Sequence, residues 1–327
     1  MVFFLDENLI KMPNNCLITI NDISRNQIFE FLRLSNEFLS VIKKPVKLAA
    51  LNNKYVAIMF FENSTRTRVS FEIAAKKLSA EVINFTSTTS SINKGESLKD
   101  TVITLKSLGA DILIVRHSNE GVPSQIAKWS QLSVINAGDG MHQHPTQALG
   151  DLLTLTKSYN LKPETYQDFF KDKKVVIVGD ILHSRVARSL IDLFNLLGCN
   201  IVLVGPPEFI PEGVEYFSGI EISYELDKEL KDTDVLYMLR IQSERLGQGS
   251  SLNLEQYRQY FSLNAKRVKL LSPKVFLMHP GPVNKGIELD EAAFSLPGCL
   301  INEQVKYSVP ARMAVLFMAA TKGFSDE

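Results

Sequence analysis

An apolar run over residues 55–61 ends in Phe60-Phe61 and passes through Glu62 into Asn63-Ser64-Thr65-Arg66-Thr67-Arg68. No other junction constrains the chain as strongly. The run reads as a buried strand. The residues after it open a helix with apolar positions at Val69, Phe71, Ile73, Ala74 and Leu78. Ser64 and Thr65 are good N-cap residues. Two arginines in a first helical turn oppose the helix dipole unless an anion joins them. Free backbone N–H groups at a helix start bind phosphate, and arginine grips two oxygens at once. The junction therefore predicts a site for a phosphate dianion on a strand–turn–helix unit. A capped helix with a solvated basic first turn is the structural alternative.

Strand and helix go on alternating. A helix is expected over 23–42 with Ser24 as its cap, then a strand over 54–61, a helix over 65–79 and a strand over 81–85. A helix over 98–108 closes on Gly109, and a strand over 111–115 delivers Arg116 and His117 at its end. After a helix over 121–130 and a strand over 133–136, two glycines allow a tight turn. Pro145 then sits where a first helical position tolerates it, with His144 and Gln147 bracketing that turn. Ligands collect at the C-terminal ends of parallel strands, which makes Arg116, His144 and Gln147 candidates. A surface ion pair for Arg116 and an ordinary turn for His144 remain open. Residues 86–97 are rich in hydroxyls and end in Lys94-Gly95-Glu96. They read either as a disordered surface loop or as a mobile one that carries Ser90 and Lys94 onto a ligand.

The second half begins past Asn160-Leu161-Lys162-Pro163, a plausible domain border. A strand over 174–178 ends in Gly179-Asp180, and a helix follows up to Gly198. No glycine lies between Gly179 and Gly198, so the dinucleotide fingerprint is absent. Arg185 stands where that fingerprint has a small residue, and a cation there suits a carboxylate. Further strands are expected over 200–204, over 234–239 ending in Arg240, and over 275–278 ending in His279-Pro280-Gly281-Pro282. The two prolines stiffen that last turn and fix its carbonyls outward; a purely structural turn is the alternative. Residues 246–252 read as a flexible loop. Residues 301–320 form an apolar helix with a break at Pro310, of the kind that docks on a domain face.

Lys+Arg and Asp+Glu both number 36, so no bulk charge points to nucleic acid or an anionic membrane. Cys16, Cys199 and Cys299 have no metal-ligand spacing and fit a reducing cytoplasm. The apolar start is too short for a signal peptide, and no run is long enough to span a bilayer.

Taken in order, these motifs resemble those of the carbamoyltransferases, and of their aspartate branch in particular. They are Phe61-Glu62-Asn63-Ser64-Thr65-Arg66-Thr67-Arg68, Ser90 with Lys94-Gly95-Glu96, Val115-Arg116-His117 and His144-Pro145-Thr146-Gln147. After them come His183-Ser184-Arg185, Arg240-Ile241-Gln242 with Arg245, and His279-Pro280-Gly281-Pro282. The resemblance runs over essentially the whole chain. It implies an α/β protein of two parallel-sheet domains: a carbamoyl-phosphate domain over 1–150 and a Rossmann-like aspartate domain over 151–300. Residues 301–327 would return as a helix to the first.

By resemblance, Ser64, Thr65, Arg66 and Thr67 hold the phosphate of carbamoyl phosphate. Arg116, His144 and Thr67 bind its carbonyl oxygen, Gln147 its amide, and Pro280 and Gly281 offer backbone carbonyls. Arg185 and Arg240 take the two carboxylates of L-aspartate, with Gln242 nearby. Glu62 pairs with Arg185 and Arg245 in a closed state. A homotrimer is implied, with Ser90 and Lys94 completing a neighbour's site, and so is the committed step of pyrimidine biosynthesis, without metal or cofactor. Regulatory chains or a dihydroorotase are possible partners. The alternatives are the ornithine branch or another amino-acid carbamoyltransferase, a dinucleotide-dependent oxidoreductase, and an inactive paralogue serving assembly. The ornithine branch has a cysteine after the histidine of the last motif, where this chain has Pro280.

Overall fold

Every strand pairing among the described residues is parallel, and the strands fall into two separate sheets. The computed structural model describes residues 13–44, 47–86, 95–214, 218–241, 253–321 and 323–324. The chain divides into unit 1, Met1–Gly140 with Arg312–Glu327, and unit 2, Met141–Ala311.

Unit 1 contains α1 (Arg25–Val41), β1 (Tyr55–Phe60), α2 (Thr65–Lys77), β2 (Glu81–Thr86), α3 (Leu98–Ser107), β3 (Ile112–His117), α4 (Val122–Ser130) and β4 (Ser133–Asp139). Ser24 caps α1 by accepting a hydrogen bond from Gln27 N at 3.1 Å, as its sequence position predicts. The sheet order is β2-β1-β3-β4. From β1 the chain moves outward to β2, then crosses back to β3 on the other side. The crossing leaves a crevice beyond the C-terminal ends of β1 and β3, where open α/β sheets bind ligands. Strands β1, β3 and β4 are buried almost throughout and read as continuous apolar runs, as strands covered on both faces do. On α2, Phe71, Ala74 and Leu78 face the core, but Val69 and Ile73 are exposed. Those two lie one turn apart on the opposite side of the helix.

Unit 2 contains α5 (Pro145–Ser158), α6 (Tyr166–Phe169), β5 (Lys174–Val178), α7 (Arg185–Leu196), β6 (Asn200–Val204), β7 (Ile220–Ser223), α8 (Leu226–Glu229), β8 (Val235–Met238), α9 (Leu254–Phe261), α10 (Ala265–Val268), β9 (Phe276–Met278) and α11 (Glu291–Phe294). Its sheet order is β7-β6-β5-β8-β9, so the switch point lies between β5 and β8. One apolar cluster joins Val176, Val178, Val204, Leu236, Met238 and Leu277 to side chains from α9 and the segments beyond.

The last helix, α12 (Ile301–Thr321), runs without interruption through Pro310. The expected break does not occur. Proline removes one backbone hydrogen bond from a helix interior. Here Pro310 and the residues after it, Ala311, Met313, Ala314, Val315 and Leu316, are buried, and that packing holds the helix together. Within unit 1 its C-terminal half docks as expected. The Arg312 guanidinium lies 5.0 Å above the Phe71 ring, and Phe317 packs edge-on to Phe38. Among the described residues no helix is long and apolar enough to cross a membrane.

Candidate active site

In unit 1 the candidate residues gather at the crevice beyond β1 and β3. Phe60 is in register with Arg116, and Phe61 N donates to Arg116 O at 2.9 Å, which ties the start of the turn to the end of β3. Ser64 occupies the N-cap in extended conformation, yet its side chain caps none of the first amides. Thr65, Arg66 and Thr67 form the first turn, whose N–H groups have no partner within a helix. Arg66 is exposed and Thr67 buried. Ser70 Oγ donates to Arg66 O at 2.5 Å, which holds this turn from below.

Arg116 is fixed from two sides. Its Nη1 donates to Ala137 O at 3.1 Å, and its Nε lies 3.2 Å from Glu62 Oε2. The guanidinium is therefore oriented by the ends of β1 and β4. The Glu62 carboxylate accompanies Arg116. His117 stacks 5.1 Å from Phe61, and its Nδ1 accepts from Asn119 N at 2.9 Å. Burial lowers the pKa of this imidazole despite the pull of Glu62 and Asp139.

In unit 2, His144 is the N-cap of α5 and is almost wholly buried. Its backbone N donates to Ser189 Oγ of α7 at 2.8 Å. Ser189 in turn donates to Gln143 Oε1, whose amide nitrogen donates to Asp192 Oδ2 at 2.7 Å. Burial pushes the Asp192 carboxyl upward from its ordinary pKa. Gln147 lies on the first turn of α5, and its Nε2 donates to Asp151 Oδ1 at 2.9 Å.

Arg185 and Arg240 flank the switch point of the unit 2 sheet. Val178 is in register with Met238, and Leu239 N donates to Val178 O at 2.8 Å. Arg185 is the first residue of α7, after the turn that leaves β5; Ser184 caps that helix by accepting from Ala187 N at 3.1 Å. The same turn is braced by Asp180, whose Oδ1 lies 2.7 Å from His183 Nδ1. Arg240 is exposed just beyond β8. The backbone after it is clamped by Glu288, which is fully buried and accepts from Ile241 N at 2.7 Å and Asn284 N at 2.8 Å. Burial raises the Glu288 pKa, against the pull of these donors.

The His279-Pro280-Gly281-Pro282 turn follows β9. Gly281 has φ +65°, a left-handed conformation that suits glycine, and its N–H donates to His279 Nδ1 at 2.8 Å. Ser90, Lys94, Gln242 and Arg245, and the loop expected over 246–252, lie outside the described residues. Among the described residues no group of three or more His, Cys, Asp or Glu is placed to hold a metal ion.

Sequence reasoning missed the supporting residues Ser189, Asp151, Gln304, Asn284 and Glu288. Only Glu288 carried a signal, a carboxylate between Ile287 and Leu289 just past a stiff turn.

Chemically, unit 1 presents a helix N-terminus and two arginines to an anion, and unit 2 presents two arginines at one switch point. Residues 15–157 match the family described as aspartate/ornithine carbamoyltransferase, carbamoyl-P binding domain. Residues 171–319 match its Asp/Orn binding domain. The aspartate carbamoyltransferase catalytic subunit of Corynebacterium urealyticum is 42% identical over 312 residues, covering 94% of this chain and 96% of that protein. The corresponding subunit of Streptomyces coelicolor is 41% identical and covers 92% of this chain and 93% of its own. Among solved structures, the catalytic subunit of M. jannaschii aspartate transcarbamoylase superposes with a TM-score of 0.81 at 34% identity, covering 93% and 97% of the two chains. Aspartate transcarbamoylase from Trypanosoma cruzi in complex with carbamoyl phosphate gives 0.83 at 29% identity, covering 94% and 96%.

Proposed function

The chain belongs to the aspartate/ornithine carbamoyltransferase family, and from that premise we propose that it transfers the carbamoyl group of carbamoyl phosphate to the α-amine of L-aspartate. The products are N-carbamoyl-L-aspartate and phosphate. The observation that carries the choice of acceptor is the pair Arg185 and Arg240, cations on either side of one switch point. A dicarboxylic amino acid satisfies both; ornithine brings a second ammonium to them.

The α2 N-terminus, with Ser64, Thr65, Arg66 and Thr67, takes the phosphate. Arg116 and His144 donate to the carbamoyl oxygen, Thr67 assists them, and Gln147 with the Pro280 and Gly281 carbonyls accepts from the carbamoyl NH2. The amine attacks the carbonyl carbon, negative charge grows on its oxygen, and phosphate leaves. A donor aimed at that oxygen contributes about 3–4 kcal/mol to the barrier reduction. The departing phosphate accepts the amine's proton, so no carboxylate base is required. His144 acts as a donor, and burial of its ring keeps water from competing for that bond.

The two domains serve the two substrates, carbamoyl phosphate over residues 1–150 and aspartate over 151–300. Gln242 assists the arginines, and Glu62 pairs with Arg185 and Arg245 when substrates are bound. The reading extends to a cytoplasmic homotrimer in which Ser90 and Lys94 complete a neighbour's site. The free thiols of Cys16, Cys199 and Cys299 support a reducing compartment. Co-refolding equal amounts of Lys94→Gln and Arg66→Ala chains restores about a quarter of all sites if sites are shared, and none if Lys94 serves its own chain. The acceptor is tested by colorimetric assay of carbamoyl-aspartate with ornithine in parallel. Turnover with aspartate and essentially none with ornithine is expected; the reverse refutes the proposal.

A further inference from the structure

Asp151 is a fully buried carboxyl group in the middle of α5, and three side-chain donors converge on it. Gln147 Nε2 and Gln304 Nε2 reach Oδ1 at 2.9 and 2.8 Å, and Tyr237 OH reaches Oδ2 at 2.7 Å. Tyr237 is itself wholly buried, and burial together with the neighbouring Asp151 keeps its phenol protonated and so a donor. The contacts continue outward. Gln304 Oε1 accepts from His279 N at 3.0 Å, and His279 Nδ1 accepts from Gly281 N at 2.8 Å. One buried group thus stands behind both Gln147 and the Pro280-Gly281 turn.

We infer that Asp151 is a positioning residue, whose carboxylate turns the Gln147 amide so that its oxygen faces the carbamoyl NH2 and, through Gln304, anchors the turn that offers the Pro280 and Gly281 carbonyls. The inference rests on the reading that Gln147 and these carbonyls face the carbamoyl group. With three donors converging on it, the carboxyl group acts as an acceptor and admits the Gln147 side chain in one orientation, nitrogen inward. The amide oxygen is left as an outward acceptor. The group it meets is a donor-only NH2, and the backbone carbonyls at positions 280 and 281 are acceptors too. Three acceptors held by one anchor select a carbamoyl group over an acyl group of the same size. A buried asparagine at 151 has a donor and an acceptor, fits Gln147 in either orientation, and loses that selection.

The test compares binding of carbamoyl phosphate with acetyl phosphate, in which a methyl group replaces NH2, and with inorganic phosphate. Competition titrations are made on the full-length protein. In Asp151→Asn the preference for carbamoyl over acetyl phosphate should fall about tenfold, the worth of one oriented hydrogen bond. The inorganic phosphate affinity should stay within twofold. Gln147→Ala should lose the same preference, and the double variant should lose no more than Gln147→Ala alone, because both act through one contact. If Asp151→Asn weakens all three ligands equally, the residue is merely structural and the inference fails. If Asp151→Asn keeps the preference while Gln147→Ala loses it, the inference fails and the role of Gln147 stands. If Gln147→Ala keeps the preference, the underlying reading fails and takes the inference with it. Tyr237→Phe conserves volume and removes one donor from the carboxylate. Should Asp151→Asn not fold, a roughly threefold loss of preference in Tyr237→Phe supports the inference, and an unchanged preference overturns it.

Discussion

Ser189 belongs to none of the motifs, yet it sets the position of His144, and its removal has a calculable cost. The hydroxyl accepts from His144 N at 2.8 Å and donates to Gln143 Oε1, and all three residues are buried. Ser189→Ala leaves a buried N–H and a buried amide oxygen each short of one bond. An unsatisfied buried group costs about 1–3 kcal/mol, so two such groups at the low end of that range give a net loss of about 2 kcal/mol. Unit 2 spans Met141–Ala311, and for a body of that size 1 kcal/mol moves Tm by about 2–4 °C. Calorimetry should therefore show a drop of about 4–8 °C. The N-cap of α5 is also released, and on the proposed reading His144 drifts from the carbamoyl oxygen. A misplacement short of full removal should lower kcat about tenfold, because loss of a whole oxyanion donor costs about a hundredfold to a thousandfold. KM for carbamoyl phosphate should change less, since the bond strengthens as charge develops. A Ser189→Ala protein with unchanged Tm and kcat would refute the claim that this hydroxyl holds the helix start.

Arg240→Ala should raise KM for aspartate by at least about tenfold while the affinity for carbamoyl phosphate stays within about twofold, as a charge-assisted bond to a carboxylate is lost; equal losses in separate titrations would contradict the assignment. Burial holds the His117 pKa below its ordinary value of about 6.5, so on acidification the unfolded chain takes up this proton first. The stabilisation is complete above about pH 6.5 and is lost as pH falls through the folded value, so His117→Gln should flatten the fall in denaturant stability between about pH 7 and pH 5, and an identical slope in the variant would exclude His117 as its source. A Cβ at Gly298 would stand 1.9 Å from Val275 O, a backbone atom that cannot yield cheaply. Gly298→Ala should therefore destabilise by about 3 kcal/mol in urea titration, and a neutral result would mean that β9 shifts freely.

What could be read from the sequence was whatever repeats locally. Strand β5 and helix α7 follow from an apolar run, Gly179 and a serine cap, and the cations Arg66, Arg116, Arg185 and Arg240 announce themselves at strand ends. The edge strand β7 was invisible because Ile220-Glu221-Ile222-Ser223 is too short to establish a period. Helices α6, α8, α10 and α11 have four residues each, barely one turn, and leave no amphipathic trace. Pro310 misled in the other direction, since burial around it outweighs a local propensity that a sequence reading weighs alone. The supports of the site were hidden by distance along the chain. Ser189 meets residue 144 across 45 positions, and Gln304 meets Asp151 across 153. No window of sequence holds both partners of such a pair.

The seam between the two ends of unit 1 bears on the order in which the protein is made. Asn15 Nδ2 donates to Ala319 O at 3.1 Å across 304 positions, Phe324 N donates to Asn14 O, and Phe324 is fully buried. Unit 1 is thus begun before unit 2 and completed only by residues made after it. Unit 2 is contiguous and has its entire core in hand by residue 311, so it can close while unit 1 still lacks the inner half of α12. Synthesis at about 5–20 residues per second makes that wait seconds long, during which the faces of α1 and α2 around Phe38 and Phe71 are a target for chaperones. A chain cut after residue 311 keeps every candidate site residue and still leaves unit 1 unsealed.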